Sequence, residues 1–263
     1  MVFKTRMSLE ELKMRYILLL ALFTIGFNLA ATSEQYTIRT EFSLCKYNEG
    51  KGYEDVIKYE KRYHKFLLEN NLKYTRFILT PILAGEKDYD FVLWGNWPDG
   101  EEMYKEYGTY LNDYKKPSMN PSTCKGSYAV FNTGARHLRI PREEYDRIQF
   151  VEFANCKFTE NASFEELLAI SAEHESLVEE FGYKGYGVHY LRPYRGFEDD
   201  LPFDMVRMVH WYNRDTRAEN VKQFRPMRKL LQDNGMQEKY AQHIESCGNA
   251  DVFGMELIYS SNQ

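Results

Sequence analysis

The stretch EFSLCKY at residues 41–47 is repeated as EFANCKF at residues 152–158, and four of the seven positions are identical. Each copy holds one of the four cysteines of the chain. A repeated sequence within one chain indicates a duplicated structural unit, so the 263 residues are expected to fold as two similar halves.

The similarity continues through both halves. After each cysteine stretch comes a segment with apolar residues at helical spacing, in which Tyr53 aligns with Phe164. Two short β-rich segments follow, and in the second of them YDFVLWGNWPDG at 89–100 aligns with FDMVRMVHWYNRD at 203–215. An amphipathic helix and a final strand complete each half. The pattern predicts an α+β fold made of two tandem ferredoxin-like β-α-β-β-α-β units.

This order of elements resembles the dimeric α/β-barrel superfamily, which includes antibiotic-biosynthesis-monooxygenase-like and NIPSNAP-like domains. The stretch VLWGNWPDGEEMYKEY at 92–107 carries the resemblance best, because a strand ends on tryptophan and runs into an acidic helix start. The resemblance covers about residues 36–133 and 147–259, and implies two fused copies that form a barrel within one chain. It implies no single activity, because the superfamily includes oxygenases, haem enzymes, isomerases, lyases and proteins without known chemistry.

The N-terminal segment differs from the two repeats. Arg15 precedes an apolar run from Tyr16 to Leu29, and small residues follow at Ala30 and Ala31. This layout is typical of a secretory signal, with an uncleaved anchor as the alternative. The predicted organisation is a signal peptide at 1–33, a first unit at 34–133, a connector at 134–146 and a second unit at 147–263. The mature protein is expected to be exported, to the periplasm or the extracellular space, without stable membrane insertion.

The cysteines are expected to form two disulfides. In the superfamily the first and last strands of a unit are antiparallel neighbours, so the resemblance places Cys45 beside Cys124 and Cys156 beside Cys247. An even number of cysteines in an exported chain favours disulfides. Free thiols and a metal site are the alternatives, but the spacing Cys-X-X-Cys is absent.

Composition limits the partners. The net charge is −5 and no long basic run is present, which argues against binding to nucleic acid. The aromatic content of 16% favours a small, largely apolar or aromatic ligand as partner. The chain is expected to be a monomer or a homodimer.

Two glutamates lie in the middle of predicted strands. Glu41 and Glu152 each share a strand face with the cysteine four residues later. A carboxylate on a buried face needs a partner, or its pKa shifts. Arg207 is a plausible partner for Glu152 because the two strands are neighbours in this fold. A structural ion pair and a functional carboxylate both remain open.

Histidines distinguish the second half. His189 and His210 lie on strands where the first half has Phe77 and Asn96. Together with Glu152 they form the predicted catalytic set, because histidine and glutamate serve as general bases. The alternative is that both are structural histidines with hydrogen-bond partners.

Haem is left open as a cofactor, and no other cofactor or metal site is predicted. His64 and His174 occupy similar positions on the first helix of each half and could serve as axial ligands. Their charged sequence neighbours favour a solvated helix face instead.

Five residues are predicted to bind a ligand: Glu41, Arg207, Trp94, Trp211 and Tyr190. Core packing is the alternative for the aromatic ones.

The sequence is compatible with three functions. The first is binding of a small apolar or aromatic ligand in a barrel pocket. The second is an enzyme with its site in the second unit, namely a cofactor-independent oxygenase, a lyase or isomerase, or a haem enzyme. The third is an interaction module without a ligand.

Overall fold

A computed structural model of the chain describes residues 36–115 and 120–261. The predicted signal peptide at 1–33 lies outside these residues. Within the described part, nine strands and six α-helices form a mixed α+β structure with an antiparallel sheet, which confirms the predicted fold class at this level.

The first half follows the predicted order of elements. Its strands and helices are β1 (Thr37–Tyr47), α1 (Tyr53–Glu69), β2 (Thr75–Leu83), β3 (Phe91–Trp97), α2 (Gly100–Asp113) and β4 (Ser122–Leu138). Helix α2 begins where the sequence offers a cap, because the side chain of Asp99 accepts a hydrogen bond of 2.9 Å from the backbone N–H of Glu102.

The second half repeats this order with more helices. A 3-10 turn at Arg142–Glu144 precedes β5 (Ile148–Phe158), α3 (Phe164–Glu180), β6 (Tyr186–Arg195), β7 (Met205–Trp211), α4 (Arg214–Lys222), α5 (Phe224–Asp233), α6 (Met236–Ala241), β8 (Ile244–Cys247) and β9 (Asp251–Ser260).

The single helix expected after β7 is interrupted. Helix α4 ends at Lys222, because Pro226 has no N–H with which to continue the hydrogen-bond ladder to the carbonyl four residues earlier. Gly235 separates α5 from α6 with a φ of 66°, a conformation that glycine adopts without steric cost.

Hydrogen bonds between the halves join the strands into a ring. Strand β4 pairs with β1 and then with β6, β9 pairs with β5 and β2, and β5 pairs with β7. The resulting ring has the order β1-β3-β2-β9-β5-β7-β6-β4, and β8 adds to β5 beside the start of β9. The connector expected at 134–146 is therefore partly strand, because β4 continues to Leu138 through its pairing with β6.

Alternation along the strands gives the ring two faces. On the inner face, side chains from both halves pack into one apolar cluster that includes Leu79, Trp94, Val130, Val151 and Met208 and contains no helical residue. The outer face is covered by helices in each half. The ring therefore provides two distinct places for a site: its interior, and the spaces between helices and sheet.

Both predicted cysteine pairs form disulfides, Cys45–Cys124 and Cys156–Cys247. In each pair the two residues lie directly opposite each other in antiparallel register. The first bridge ties β1 to β4, the last strand of its half, and the second ties β5 to the short strand β8 that precedes β9.

No helix in the described residues has both the length and the apolar character that crossing a membrane requires.

Loss of either disulfide should destabilise the fold by a similar amount. The bridges join residues 79 and 91 positions apart, so the chain-entropy difference between them is only about 0.1 kcal/mol. We expect the paired replacement of Cys45 and Cys124 by alanine to lower the free energy of unfolding by about 2–5 kcal/mol, and the same for Cys156 and Cys247. Urea denaturation of both double variants tests this. A double variant as stable as the wild type would contradict it.

Candidate functional site

Three adjacent strands, β4 of the first half with β6 and β7 of the second, bring two arginines to one cavity. Arg207 on β7 lies opposite Tyr190 on β6, and Arg136 on β4 lies opposite Val188 on the other side of β6. A cavity of about 530 Å³ lies between these strands, α3 and α6. We call it the arginine pocket, and its main lining residues are Arg136, His174, Tyr190, Arg207, Gln237 and Tyr240.

The two guanidinium groups differ in their electrostatic surroundings: burial lowers the pKa of Arg136, but three tyrosines and Glu175 outweigh it and raise that pKa overall. The Nε atoms of Arg136 and Arg207 are buried and have no hydrogen-bond partner among the described residues. Burial and then the charge of Arg136 lower the pKa of Arg207. The charge of Glu175 acts to raise the pKa of Arg136. The carboxylate of Glu175 also accepts a 3.1 Å hydrogen bond from the backbone N–H of His137. Arginine stays protonated in proteins, so the pocket carries buried positive charge.

His174 faces this pocket from α3. Its Nδ1 atom is buried without a hydrogen-bond partner in the described part of the chain. Burial, followed by the charges of Arg136 and Arg207, lowers its pKa to about 2, so the ring is neutral. The expectation of a solvated helix face is wrong for His174, because helical spacing places it on the side of Ser171 and Val178.

His64 is likewise not on a solvated face. Its ring stacks on Tyr259 with 4.6 Å between centroids, and burial lowers its pKa. The charged neighbours in sequence were misleading at both positions, because residues next to each other in a helix point in different directions.

Tyrosines form a wall of the arginine pocket. The hydroxyl of Tyr190 lies 2.7 Å from Oγ of Ser171, and the hydroxyl of Tyr240 donates to the same oxygen at 3.4 Å. Ser171 occupies the position in α3 that Glu60 occupies in α1. In the first half, the buried Arg76 has that glutamate as a partner at 3.4 Å. The second half thus lacks a carboxylate that the first half has.

Glu152 belongs to a different part of the outer face. Its Oε1 forms an ion pair of 2.5 Å with Nη2 of Arg217 on α4 and accepts a 3.0 Å hydrogen bond from Nε1 of Trp211. The predicted pairing with Arg207 is therefore wrong. Arg207 lies opposite Ala154, two residues further along β5, and faces the arginine pocket. Trp211, predicted to bind a ligand, instead donates a hydrogen bond to Glu152 and packs against Tyr186.

His189 and His210 lie on the inner face. Nδ1 of His189 is 2.9 Å from Oδ1 of Asn132, and Nε2 of His210 is 2.5 Å from Oε1 of Gln149. The sheet therefore separates both histidines from Glu152, and the predicted catalytic set does not converge on one cavity. Their hydrogen bonds agree with the structural alternative.

His137 adds a third histidine that sequence reasoning missed. Its ring centroid lies 4.9 Å from that of His189, and both its nitrogens are buried without a partner in the described residues. Burial lowers the pKa of all three histidines, to about 4 for His137 and to about 3 for His210. No periodic signal pointed to His137, because its strand was expected to be a connector.

A cavity inside the ring is smaller than a usual ligand site. A cavity of about 190 Å³ opens there among apolar side chains such as Phe42, Leu79 and Phe153. Ligand sites usually have about 300–1,000 Å³. Trp94 packs in this region against Phe42 and Phe77, with ring centroids 5.8 and 5.0 Å away, so it acts as a core residue.

Glu41 is held by several donors in the first half. It accepts hydrogen bonds from Tyr74 at 2.6 Å, from Tyr107 at 3.1 Å and from Arg76 at 3.2 Å. This predicted ligand residue is thus part of a structural ion pair beside a further cavity of about 460 Å³.

Among the described residues, no group of three or more histidine, cysteine, aspartate or glutamate side chains is arranged to hold a metal ion.

No known protein family and no curated protein matches the chain. Solved structures with a similar fold include an anthrone oxidase-like protein, with 10% identity and a TM-score of 0.48 over 88% of this chain and 96% of that chain. The chlorite dismutase from Candidatus Nitrospira defluvii in complex with imidazole has 11% identity and a TM-score of 0.47 over 83% and 90%. A haem-binding protein from Thermus thermophilus has 11% identity and a TM-score of 0.46 over 85% and 94%.

The buried histidines should make the protein less stable in acid. An unfolded histidine titrates near pH 6.5, whereas folded His137 has a pKa of about 4. Between these pH values the unfolded chain binds a proton that the folded chain does not, so stability falls as the pH falls. We expect the loss of unfolding free energy from pH 6.5 to pH 5 to be about 1.5 kcal/mol smaller in His137→Gln than in the wild type.

Urea denaturation at both pH values measures this difference, and NMR of the imidazole protons follows His137 directly. A His137 resonance that titrates near pH 6.5 in the folded protein would contradict the prediction.

Proposed function

We propose that this protein binds a small organic anion in the arginine pocket. One observation carries the proposal: Arg136 is buried and Arg207 is half-buried, both line the same cavity, and the Nε atom of each is buried without a hydrogen-bond partner within the described chain. Buried charge is costly unless it is paired. A bound anion would supply the missing acceptors.

The volume and the lining residues of the pocket restrict the class of ligand that it can bind. Its volume of about 530 Å³ lies in the usual range for small-molecule sites. A carboxylate suits a guanidinium group because it can accept two parallel hydrogen bonds. Tyr190 and Tyr240 offer aromatic surface to the remainder of the ligand. The ligand expected from composition, small and largely apolar or aromatic, is thereby refined to an aromatic or aliphatic carboxylate bound outside the ring.

The architecture behind this site is proposed to be two ferredoxin-like units of the dimeric α/β-barrel superfamily, fused in tandem and closed into a barrel within one chain. The cross-pairing of β4 with β6 and of β9 with β2 supports it. Because the ring closes without a second chain, we propose a monomer, with a homodimer as the alternative. The units are proposed at 34–133 and 147–263, with β4 continuing beyond the first boundary.

Export after cleavage of a signal peptide at 1–33 is part of the same proposal. The two disulfides support it, because disulfides persist in oxidising compartments such as the periplasm and the extracellular space.

Haem is a second candidate ligand, because His174 lines the arginine pocket as a neutral imidazole. A neutral histidine can ligate iron, and Arg136 and Arg207 would pair with the two carboxylates of the group. Bound haem would supply redox chemistry at this position. Titration with hemin tests the candidate: a Soret band that His174→Ala removes would support it, and an unchanged hemin spectrum would exclude it.

An enzyme that uses Glu152, His189 and His210 together gains no support from their positions. The carboxylate pairs with Arg217 on the outer face, whereas both histidines have hydrogen-bond partners on the inner face.

Binding of 3-phenylpropionate tests the proposed function. We expect Arg207→Met to weaken its binding about 10- to 100-fold, because a hydrogen bond to a charged group contributes about 1.5–3 kcal/mol. Arg214→Met is the matched control, since Arg214 is exposed on α4 and its replacement removes the same charge away from the pocket. Isothermal titration calorimetry gives the dissociation constants.

The neutral ligand 3-phenylpropanamide separates charge from shape in this experiment. We expect it to bind much more weakly than the carboxylate. Equal binding of both ligands, or an affinity that Arg207→Met leaves unchanged, would overturn the proposal.

A further inference from the structure

The first half has its own cavity between helices and sheet, with a different lining. It measures about 460 Å³ and lies between α1, α2 and the outer face of β1 and β2. We call it the tyrosine pocket, and the residues that define it are Glu41, Tyr63, Glu106, Tyr107, Tyr110 and Tyr114.

Two of the carboxylates around this pocket have an arginine as a partner. Glu41 interacts with Arg76 at 3.2 Å, and Glu60 interacts with the same guanidinium at 3.4 Å. Tyr259 also donates to Glu60 at 3.2 Å. A single arginine is thus shared by two glutamates.

The close packing around Glu41 depends on a glycine. Gly95 lies opposite Glu41 in the pairing of β1 with β3. A Cβ atom at Gly95 would overlap the hydroxyl of Tyr74, which donates to Glu41. The absence of a side chain at Gly95 therefore leaves room for the Tyr74 hydroxyl to reach Glu41.

Glu106 is the carboxylate that lacks such partners. It lines the pocket from α2, is only 3% exposed, and its Oε2 atom has no hydrogen-bond partner in the described part of the chain. Burial and then the charge of Glu41 raise its pKa to about 8. Arg76 lines the same pocket, but its ion pairs are with Glu41 and Glu60, so Glu106 has no cationic partner among the described lining residues.

Tyrosine rings surround the space next to this carboxylate. Tyr63 and Tyr114 pack edge to face with 5.0 Å between centroids, and Tyr110 stacks on Tyr114 at 5.4 Å. Aromatic walls beside a carboxylate are the surroundings that bind quaternary ammonium groups, because the ring faces attract a cation.

We propose that the tyrosine pocket binds an organic ammonium ion, with Glu106 as its counter-ion and the tyrosine rings as its walls. This site is separate from the arginine pocket: it lies in the other half of the chain and selects a ligand of the opposite charge. It does not depend on the proposed function.

Choline and its neutral isostere 3,3-dimethylbutan-1-ol are the probes, because they differ in charge and hardly in shape. We expect choline to bind and the alcohol to bind at least tenfold more weakly in an NMR chemical-shift titration of the full chain. Equal affinity for the two probes would overturn the proposal.

Substitution of Glu106 identifies the counter-ion. Glu106→Gln keeps the size of the side chain and removes its charge, so we expect it to weaken choline binding at least tenfold. Glu101→Gln is the matched control, because Glu101 lies exposed on the same helix. Tyr114→Leu should weaken binding about threefold to tenfold through loss of one ring. Choline affinity that Glu106→Gln leaves unchanged would overturn the proposal.

The pH dependence of binding gives a second readout. Choline has a permanent charge, so any change of its affinity with pH must come from ionisable groups of the protein. These groups are Glu106 and the charged residues that line the same pocket, Glu41, Glu60 and Arg76. A proton on Glu106 competes with the cation, and we expect binding to be about 50-fold weaker at pH 6 than at pH 8. Stronger binding at pH 6 would show that protonated Glu106 serves as a hydrogen-bond donor to the ligand, and would overturn the proposal.

The two sites can be told apart with the same variants. Arg207→Met should leave choline binding unchanged, and Glu106→Gln should leave 3-phenylpropionate binding unchanged. If either variant abolished the binding of both probes, the separation of the two sites would be wrong.

Discussion

Pairing of the last strand of each half with the second strand of the other half is the interaction on which the structure depends. Without β4 on β6 and β9 on β2, each half would end in unpaired strand edges, which attract other chains. The same pairing carries Arg136 out of the first half and places it beside the second-half residues Tyr190 and Arg207. The arginine pocket is therefore built by both halves, although most of its lining belongs to the second.

The closed ring also determines where polar groups can act. Inner-face positions are filled by one apolar cluster and by histidines with hydrogen-bond partners, whereas larger cavities lie outside, beneath the helices. One such cavity lies in each half, and their linings differ in charged residues. Glu60 in α1 interacts with Arg76 beside one cavity, whereas Ser171 stands at the same position of α3 beside the other.

Predictions from the sequence were correct for contacts that follow from the order of strands and helices along the chain. The repeat gave the succession of strands and helices, and the resemblance paired Cys45 with Cys124 and Cys156 with Cys247 correctly. The prediction was wrong about the partner of Glu152, because alternation predicts which face a residue occupies but not which helix covers that face. Arg217 on α4 takes the place expected for Arg207. His174 was misjudged for a related reason, since its charged sequence neighbours point away from the pocket it lines.

The order of strands and helices could be predicted from the sequence, because it depends on periodicity and on repeats within the chain, and the resemblance to a known superfamily added the cysteine pairs. The surroundings of the charged residues could not be predicted in this way. Arg136 and Arg207 lie far apart in the chain and flank Val188 and Tyr190 of β6, and Arg76, which lines the same pocket as Glu106, forms its ion pairs with Glu41 and Glu60. Burial and charge balance arise from such long-range contacts, and no local pattern of residues records them.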